Sequence, residues 1–431
     1  MRIPWLAASG LVWAAAATAQ PAPPSAAATD PVAMGWMQGT PPPPERTIKV
    51  ADGSHYRFPQ WRWSFSNWQQ LFPTAPVRTA GAFQPLPQAL VPGLDEVRFT
   101  PAGAAAPMRW AEAFDANFMD AIMVLHRGRV VYQRFAPVLS EDGRHIAWSV
   151  TKSLVGLLAE ALIAEGVLDE TRTAASYVPE LAGAGHGDAT VRQLLDMRTG
   201  VAFSEIYGDP ESDISRHAMA GGLFLPPPGA PAPEGFLAFL TSLPKAGPHG
   251  GAMVYRTADT DALGWVIARA AGRPLAALFE ERFWKPMGMR HEAFFVVDGV
   301  GTPFAGGGLN LALEDLARFG EMVRLGGSFG GRRIVPEAAI ASIRAGGDRS
   351  VFPSRSYPLL AGWSYRSQWW VSHDANGTFM ARGVHGQHLW IDPTAEVVIA
   401  RFGSHPVAGN AAFDPISLPA YRAIADHLAR R

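Results

Sequence analysis

At 431 residues the chain is longer than one hydrophobic core usually serves, so two or three lobes are expected. A formal charge of −1, 48% hydrophobic residues and the absence of any polybasic run exclude a nucleic-acid footprint as the basis of function. With no cysteine, a disulfide framework, a thiol nucleophile and thiol-linked lipidation are excluded as well.

The chain starts MRIPWLAASGLVWAAAATAQ: Arg2, an apolar run from Ile3 to Ala17, then the small-x-small triplet Ala17-Thr18-Ala19. This pattern predicts a cleavable signal peptide over residues 1–19 and a periplasmic or secreted protein. The run is shorter than the ~20 residues a spanning helix needs, and no later stretch is longer, so the mature form is expected to carry no integral membrane segment. Residues 20–50 are rich in Pro and Ala, with Pro41 to Pro44 in a row, and read as a tether. Residues 51–114 begin with aromatics at 56, 58, 61, 63, 65, 68 and 72. Such a segment fits a carbohydrate- or membrane-facing surface, or a strap that fills a groove on the main domain; the strap is the reading preferred.

Residues 119–135, MDAIMVLHRGRVVYQRF, are two β-prone runs around Arg127-Gly128, which predicts a hairpin. From Ser149, apolar Leu154, Leu157, Leu158, Ala161 and Leu162 recur at three- and four-residue steps and predict a helix. Residues 171–290 read as a mostly helical domain split by Gly and Pro loops. LALEDLARFGEMVRL (311–325) is a further amphipathic helix. From about Trp363 the pattern turns to strands, and YRAIADHLARR closes the chain as a helix. Sheet pieces at both ends, over 115–170 and 291–431, imply an α+β body with a helical insertion.

Chemistry concentrates at IAWSVTKSLVG (146–156). Lys152 is one of only four lysines (Lys49, Lys152, Lys245, Lys285) and follows Ser149 by three residues. Residues i and i+3 share a helix face, with Cβ atoms about 5–6 Å apart. A serine hydroxyl needs a neighbouring base to become a nucleophile, and burial lowers a lysine pKa toward the neutral form that can serve. A serine at a helix start also gains from the unpaired N–H groups there. The same spacing fits an N-capping Ser149 followed by a solvated Lys152. Tyr255 stands two residues before Thr257, which reads as the N-cap of a helix starting near Ala258. A tyrosine fixed there can carry a proton between serine and leaving group, or be a core tyrosine. In ARGVHGQHLWIDPTAEVVIARF, a Gly-flanked strand allows close backbone approach, and a strand N–H with that of Ser149 would form an oxyanion hole.

These three elements in this order resemble the serine β-lactamase and penicillin-binding-protein superfamily, in its class-C-like branch of esterases, D-peptidases and nylon-oligomer (6-aminohexanoate-dimer) hydrolases. Ser149-x-x-Lys152 matches the first motif, Tyr255 opens the second, and Val384-His385-Gly386-Gln387 falls where Lys-Thr-Gly or His-x-Gly stands. The resemblance covers roughly residues 115 to 430 and implies an antiparallel sheet flanked by helices plus the helical insertion. GVAFSEIYGDPESD, with Glu205 and Tyr207, is similar to a segment of the nylon-oligomer hydrolases. The likeness implies that Tyr207 closes over the substrate and hydrogen-bonds the scissile amide; a loop anchor is the alternative. Thr257 replaces the Asn of lactam-binding relatives, and Val384 replaces their third-motif lysine, so efficient β-lactam hydrolysis is not implied. Either Gln387 or Val384 would supply the second oxyanion N–H, depending on register. His385 either polarises a carbonyl or points away, and Trp370 either lines the acyl pocket or packs in the sheet.

GGSFG (326–330) fits a Gly-x-Ser-x-Gly elbow, but it follows a helix rather than a strand, so Ser328 is set aside. His385 and His388 lack a third ligand cluster, so neither metal nor cofactor is expected. The expectation is an exported serine hydrolase of a small amide or ester, acting through an acyl-enzyme with Ser149, Lys152 and Tyr255. The alternatives are a D-amino-acid peptidase or β-lactamase, and a non-catalytic peptidoglycan or lactam sensor.

Overall fold

A computed structural model describes residues 24–227, 229 and 234–431. The expected signal at 1–19 lies outside the described residues. Among those described, no helix is long and apolar enough to cross a membrane.

The hairpin forms as Met119–His126 and Arg129–Phe135. Arg127 and Gly128 turn the chain with φ of 52° and 73°, the doubly positive geometry of a tight hairpin turn. These strands edge a seven-stranded antiparallel sheet whose other members all come from the end of the chain. In spatial order the sheet runs Ser364–Arg366, Trp369–Val371, Phe379–Gly383, Gln387–Asp392, Val397–Gly403, Met119–His126, Arg129–Phe135. Val397–Gly403 pairs with Met119–His126 in a register that sets Val397 against His126 and Ile399 against Val124. Strand alternation divides the core: Ala121, Met123 and Leu125 join one buried cluster, Ile122 and Val124 another. Helix Leu313–Arg324 covers the first face, where Gly320 lets it approach so closely that a Cβ would stand 2.6 Å from Leu389 and Val398 side-chain atoms. Helix Asp414–Ala429 covers the second, with Tyr421, Ile424 and Leu428 buried against Ile122 and Val397.

Helix Val150–Ala164 is buried on all sides through Leu162, as expected of an element held between two layers. Its Gly156 meets the Ser367–Gln368 turn: a Cβ there would lie 2.1 Å from the Ser367 carbonyl oxygen. Short helices follow, among them Ala174–Tyr177, Val191–Leu195, Asp213–Ala220, Phe236–Ser242 and the longer Thr257–Ala271. A second, four-stranded antiparallel sheet runs Thr74–Val77, Ala293–Val296, Leu309–Leu311, His145–Ile146, and its last strand leads straight into Ser149.

The aromatic segment enters the body of the molecule. Phe65, Trp68 and Phe72 form a buried cluster with Trp148, Leu223, Phe236 and Phe304. Arg62, 2% exposed, reaches Ser404 Oγ at 3.1 Å and lies 3.5 Å from the buried Asp120 carboxylate. The same guanidinium donates to the Ala26 carbonyl and to Thr29 Oγ1, and Ala26, Thr29 and Ile48 are buried, so residues 24–50 also lie against the body. Ser328–Phe329 pairs with Arg332–Arg333 in a small hairpin, and Ser328 does not line the cavity that opens over Ser149.

Candidate active site

Trp148 carries the chain into the site with φ of 44°, in the left-handed region that few non-glycine residues adopt. Aromatic edges from the N-terminal strap surround its ring: Tyr56 at 5.8 Å, Phe65 at 5.4 Å and Trp68 at 5.1 Å. Ser149 comes next, at the cap position of helix Val150–Ala164 with φ −69° and ψ −3°. Among the described residues no backbone carbonyl accepts its N–H, which leaves this donor unpaired at the helix start.

Lys152 stands one turn further and is 1% exposed. Its Nζ lies 2.8 Å from Ser149 Oγ and donates to the Gly306 carbonyl. Gly306 is itself held by its N–H, which donates to Asp261 Oδ1 at 2.8 Å. Burial lowers the Lys152 pKa from 10.5 to about 8, against the opposing fields of Glu205 and Asp261. A neutral amine so placed uses one N–H on Gly306 and keeps its lone pair for the serine hydroxyl.

Tyr255 reaches the same point from a distant part of the chain. Its ring centroid lies 5.2 Å from Lys152 Nζ, and Ser149 is among the groups whose presence acts on its phenol. Burial, with the Glu205 carboxylate next, pushes its pKa well above the usual value, so it holds its proton. Trp370 stacks on Tyr255 at 5.8 Å and packs against Tyr357 and Tyr365; it braces the tyrosine from behind and does not border the cavity. Thr257 is the first residue of helix Thr257–Ala271 rather than its cap. The capping oxygen comes from Glu205, whose Oε2 accepts the Thr257 N–H at 2.6 Å and whose Oε1 accepts the Thr257 hydroxyl at 2.9 Å. A carboxylate at the positive helix end outcompetes the threonine's own hydroxyl. The Tyr207 hydroxyl also donates to Glu205, while over a third of that residue faces solvent at the cavity mouth.

Gly383 lies against the turn that carries Ser149: a Cβ there would stand 2.7 Å from the Ala147 oxygen and 3.1 Å from Ser149 N. Val384 borders the cavity next to Ser149. Gln387 turns away, its side-chain amide donating to the Val384 and Gly403 carbonyls. His385 sits in a 3-10 turn rather than a strand, with φ of 60°. Its Nδ1–H donates to the His405 carbonyl at 2.8 Å, leaving Nε2 to accept the Tyr56 hydroxyl at 3.0 Å. Burial lowers its pKa to about 4, so the ring is neutral and both nitrogens are engaged. His388 lies apart, bonded to Tyr421.

A cavity of about 480 Å³ opens over Ser149 and Lys152. Tyr56, Trp61 and Trp68 of the strap form part of its wall, a contribution that sequence reasoning did not assign to the site. Density of aromatics in residues 56–72 was the one available signal, and it carried no address in the fold.

A sequence profile described as Beta-lactamase matches residues 111–415. The 6-aminohexanoate-dimer hydrolase of Paenarthrobacter ureafaciens is 32% identical over 349 residues, covering 81% of this chain and 86% of that protein. Esterase EstB of Burkholderia gladioli is 28% identical over 219 residues, 47% of this chain and 55% of its own. Among solved structures, a Bacillus anthracis protein provisionally named a 6-aminohexanoate-dimer hydrolase superposes with TM-score 0.81 at 27% identity, covering 90% of this chain and 99% of that one. EstCE1, a hydrolase with promiscuous acyltransferase activity, shares the fold at TM-score 0.58 and 19% identity, over 73% of this chain and 98% of its own.

Proposed function

The chain belongs to the beta-lactamase family, and we propose that it is a serine hydrolase that cleaves an amide or ester bond of a small linear substrate through an acyl-enzyme. The observation that carries this reading is the 2.8 Å approach of Lys152 Nζ to Ser149 Oγ with the amine buried and its pKa lowered to about 8. Ser149 Oγ attacks the carbonyl carbon while its proton passes to neutral Lys152. Tyr255 gives its phenolic proton to the departing amine or alcohol and regains one from the Lys152 ammonium. Water then attacks the acyl-enzyme, its proton leaving by the same groups, and releases the acid.

The N–H groups of Ser149 and Val384 form the oxyanion hole in this proposal, each worth about 3–4 kcal/mol in the transition state. Support for Val384 over Gln387 comes from the approach of Gly383 to Ser149 N and from Val384 bordering the cavity. His385 does not polarise the carbonyl, because both its nitrogens already have partners. The leader-like start of the chain supports export to the periplasm or medium.

A panel of p-nitrophenyl esters, nitrocefin and 6-aminohexanoate dimer, assayed with wild type and Ser149→Ala, tests this function. Turnover of esters or linear amides that vanishes in Ser149→Ala is expected. Nitrocefin as the preferred substrate would instead support a β-lactamase or D-peptidase, and a burst without turnover would support a sensor.

A further inference from the structure

Apart from Lys152 beside Ser149, the described walls of the cavity carry no acidic or basic side chain other than histidine. Much of the rest is aromatic or aliphatic surface, including Trp61, Trp68, Phe224, Phe304 and Val407, with the hydroxyls of Ser149, Ser215 and Thr257 among it. Two histidines border it, and neither offers a free charge: His385 is neutral with both nitrogens bonded, and His217 stands 2.8 Å from the Asp261 carboxylate and stacks on Phe236. Glu205, whose field reaches Lys152, is already taken by the Thr257 N–H, the Thr257 hydroxyl and the Tyr207 hydroxyl.

The side of the scissile bond that enters can also be assigned. Tyr255, the proton donor to the leaving group, does not line the cavity, whereas Ser149, Lys152 and Val384 do. A leaving group that takes its proton from Tyr255 would therefore stand on the Tyr255 side of Ser149, with the acyl group toward the cavity.

We propose that this cavity is a pocket for a neutral, apolar acyl chain, selected by the aromatic wall that Tyr56, Trp61 and Trp68 of the N-terminal segment contribute. The proposal rests on the serine-hydrolase reading of the same site and narrows its substrate class. An acyl chain that ends in an ammonium or carboxylate would lose its hydration with no counter-charge at the far wall, Lys152 standing at the reacting end beside Ser149. The acyl half of 6-aminohexanoate dimer is such a chain, so that dimer falls among the poor substrates. A volume of about 480 Å³ accommodates a medium-length or aromatic acyl group with room to spare.

The test compares p-nitrophenyl hexanoate with the p-nitrophenyl esters of 6-aminohexanoate and adipate, which match it in length and differ in terminal charge. The neutral ester is expected to exceed both charged ones by at least ~100-fold in kcat/KM. From acetate to hexanoate, kcat/KM is expected to climb roughly fourfold per methylene. Phe224→Asp, which places a carboxylate in the partly exposed wall, is expected to raise the ratio of 6-aminohexanoyl to hexanoyl ester by at least ~10-fold. Because that ratio is taken within one sample, partial misfolding of the variant leaves it unchanged. Neutral and charged esters turned over within threefold of each other by wild type would overturn the proposal while leaving the hydrolase intact. Failure of every ester to acylate Ser149 would overturn the hydrolase reading itself.

Discussion

Lowering the pH titrates the amine on which the proposed chemistry depends. Lys152 must be neutral to accept the Ser149 proton, and burial brings its pKa to about 8 from the ordinary 10.5. At pH 7 such a group is neutral in about one molecule in ten, against about one in 3,000 for an ordinary lysine, a gain of about 300-fold or ~3.4 kcal/mol at ~1.36 kcal/mol per unit. The sign follows: activity is lost as pH falls through the lowered value and is retained above it. The profile of kcat/KM for a p-nitrophenyl ester, which reports the free enzyme, should rise about tenfold per unit below pH 8, so that pH 6 gives roughly 1% of the plateau. No descending limb from Tyr255 is expected before pH 10, because burial holds that phenol protonated. Lys152→Arg, which cannot deprotonate, should lose at least ~1,000-fold at every pH. A profile flat from pH 6 to 9, or a rise centred above pH 10, would refute the neutral-lysine mechanism.

Glu205→Gln removes the negative field that opposes deprotonation of Lys152 while keeping an oxygen for the Thr257 N–H, so the acid limb should move below pH 8; an unmoved or raised limb in the same assay would contradict the assignment. Arg62→Met leaves the Asp120 carboxylate buried without its guanidinium, and the midpoint in denaturant should report a loss of about 3–5 kcal/mol. The same variant should lower kcat/KM for large acyl esters more than for acetate, since Arg62 holds the segment that walls the cavity. Gly383→Ala drives a methyl group into the Ala147 carbonyl and Ser149 N, and should cost at least ~100-fold in kcat with little change in far-ultraviolet circular dichroism.

Local pattern made part of this molecule readable. The Arg127-Gly128 turn, the apolar spacing after Ser149 and the strands after Trp363 are set by residues close in sequence, and each forms where its pattern puts it. Pairing of Val397–Gly403 with Met119–His126 joins segments far apart in the chain; sheet pieces at both ends pointed to a shared body, but not to this pairing or its register. Thr257 looked like a cap because hydroxyls commonly cap helices, yet a carboxylate from position 205 occupies that end. His385 looked like a strand residue, but a left-handed turn and two hydrogen bonds fix it instead. Aromatics at 56–72 announced burial without saying where; their place beside Trp148 depends on the whole tertiary structure. Motif order singled out Ser149, Lys152 and Tyr255, which the fold brings together, whereas the lowered pKa of Lys152 arises only from burial in the folded protein.

The covalent intermediate is the most direct test of the account. Wild type and Ser149→Ala are mixed with p-nitrophenyl hexanoate, quenched in acid within milliseconds to seconds, digested and analysed by mass spectrometry. The account predicts a hexanoyl adduct on the peptide that contains Ser149, which decays as the ester is consumed and is missing from the variant. Turnover with no adduct at any quench time, or an adduct that survives in Ser149→Ala, would contradict it.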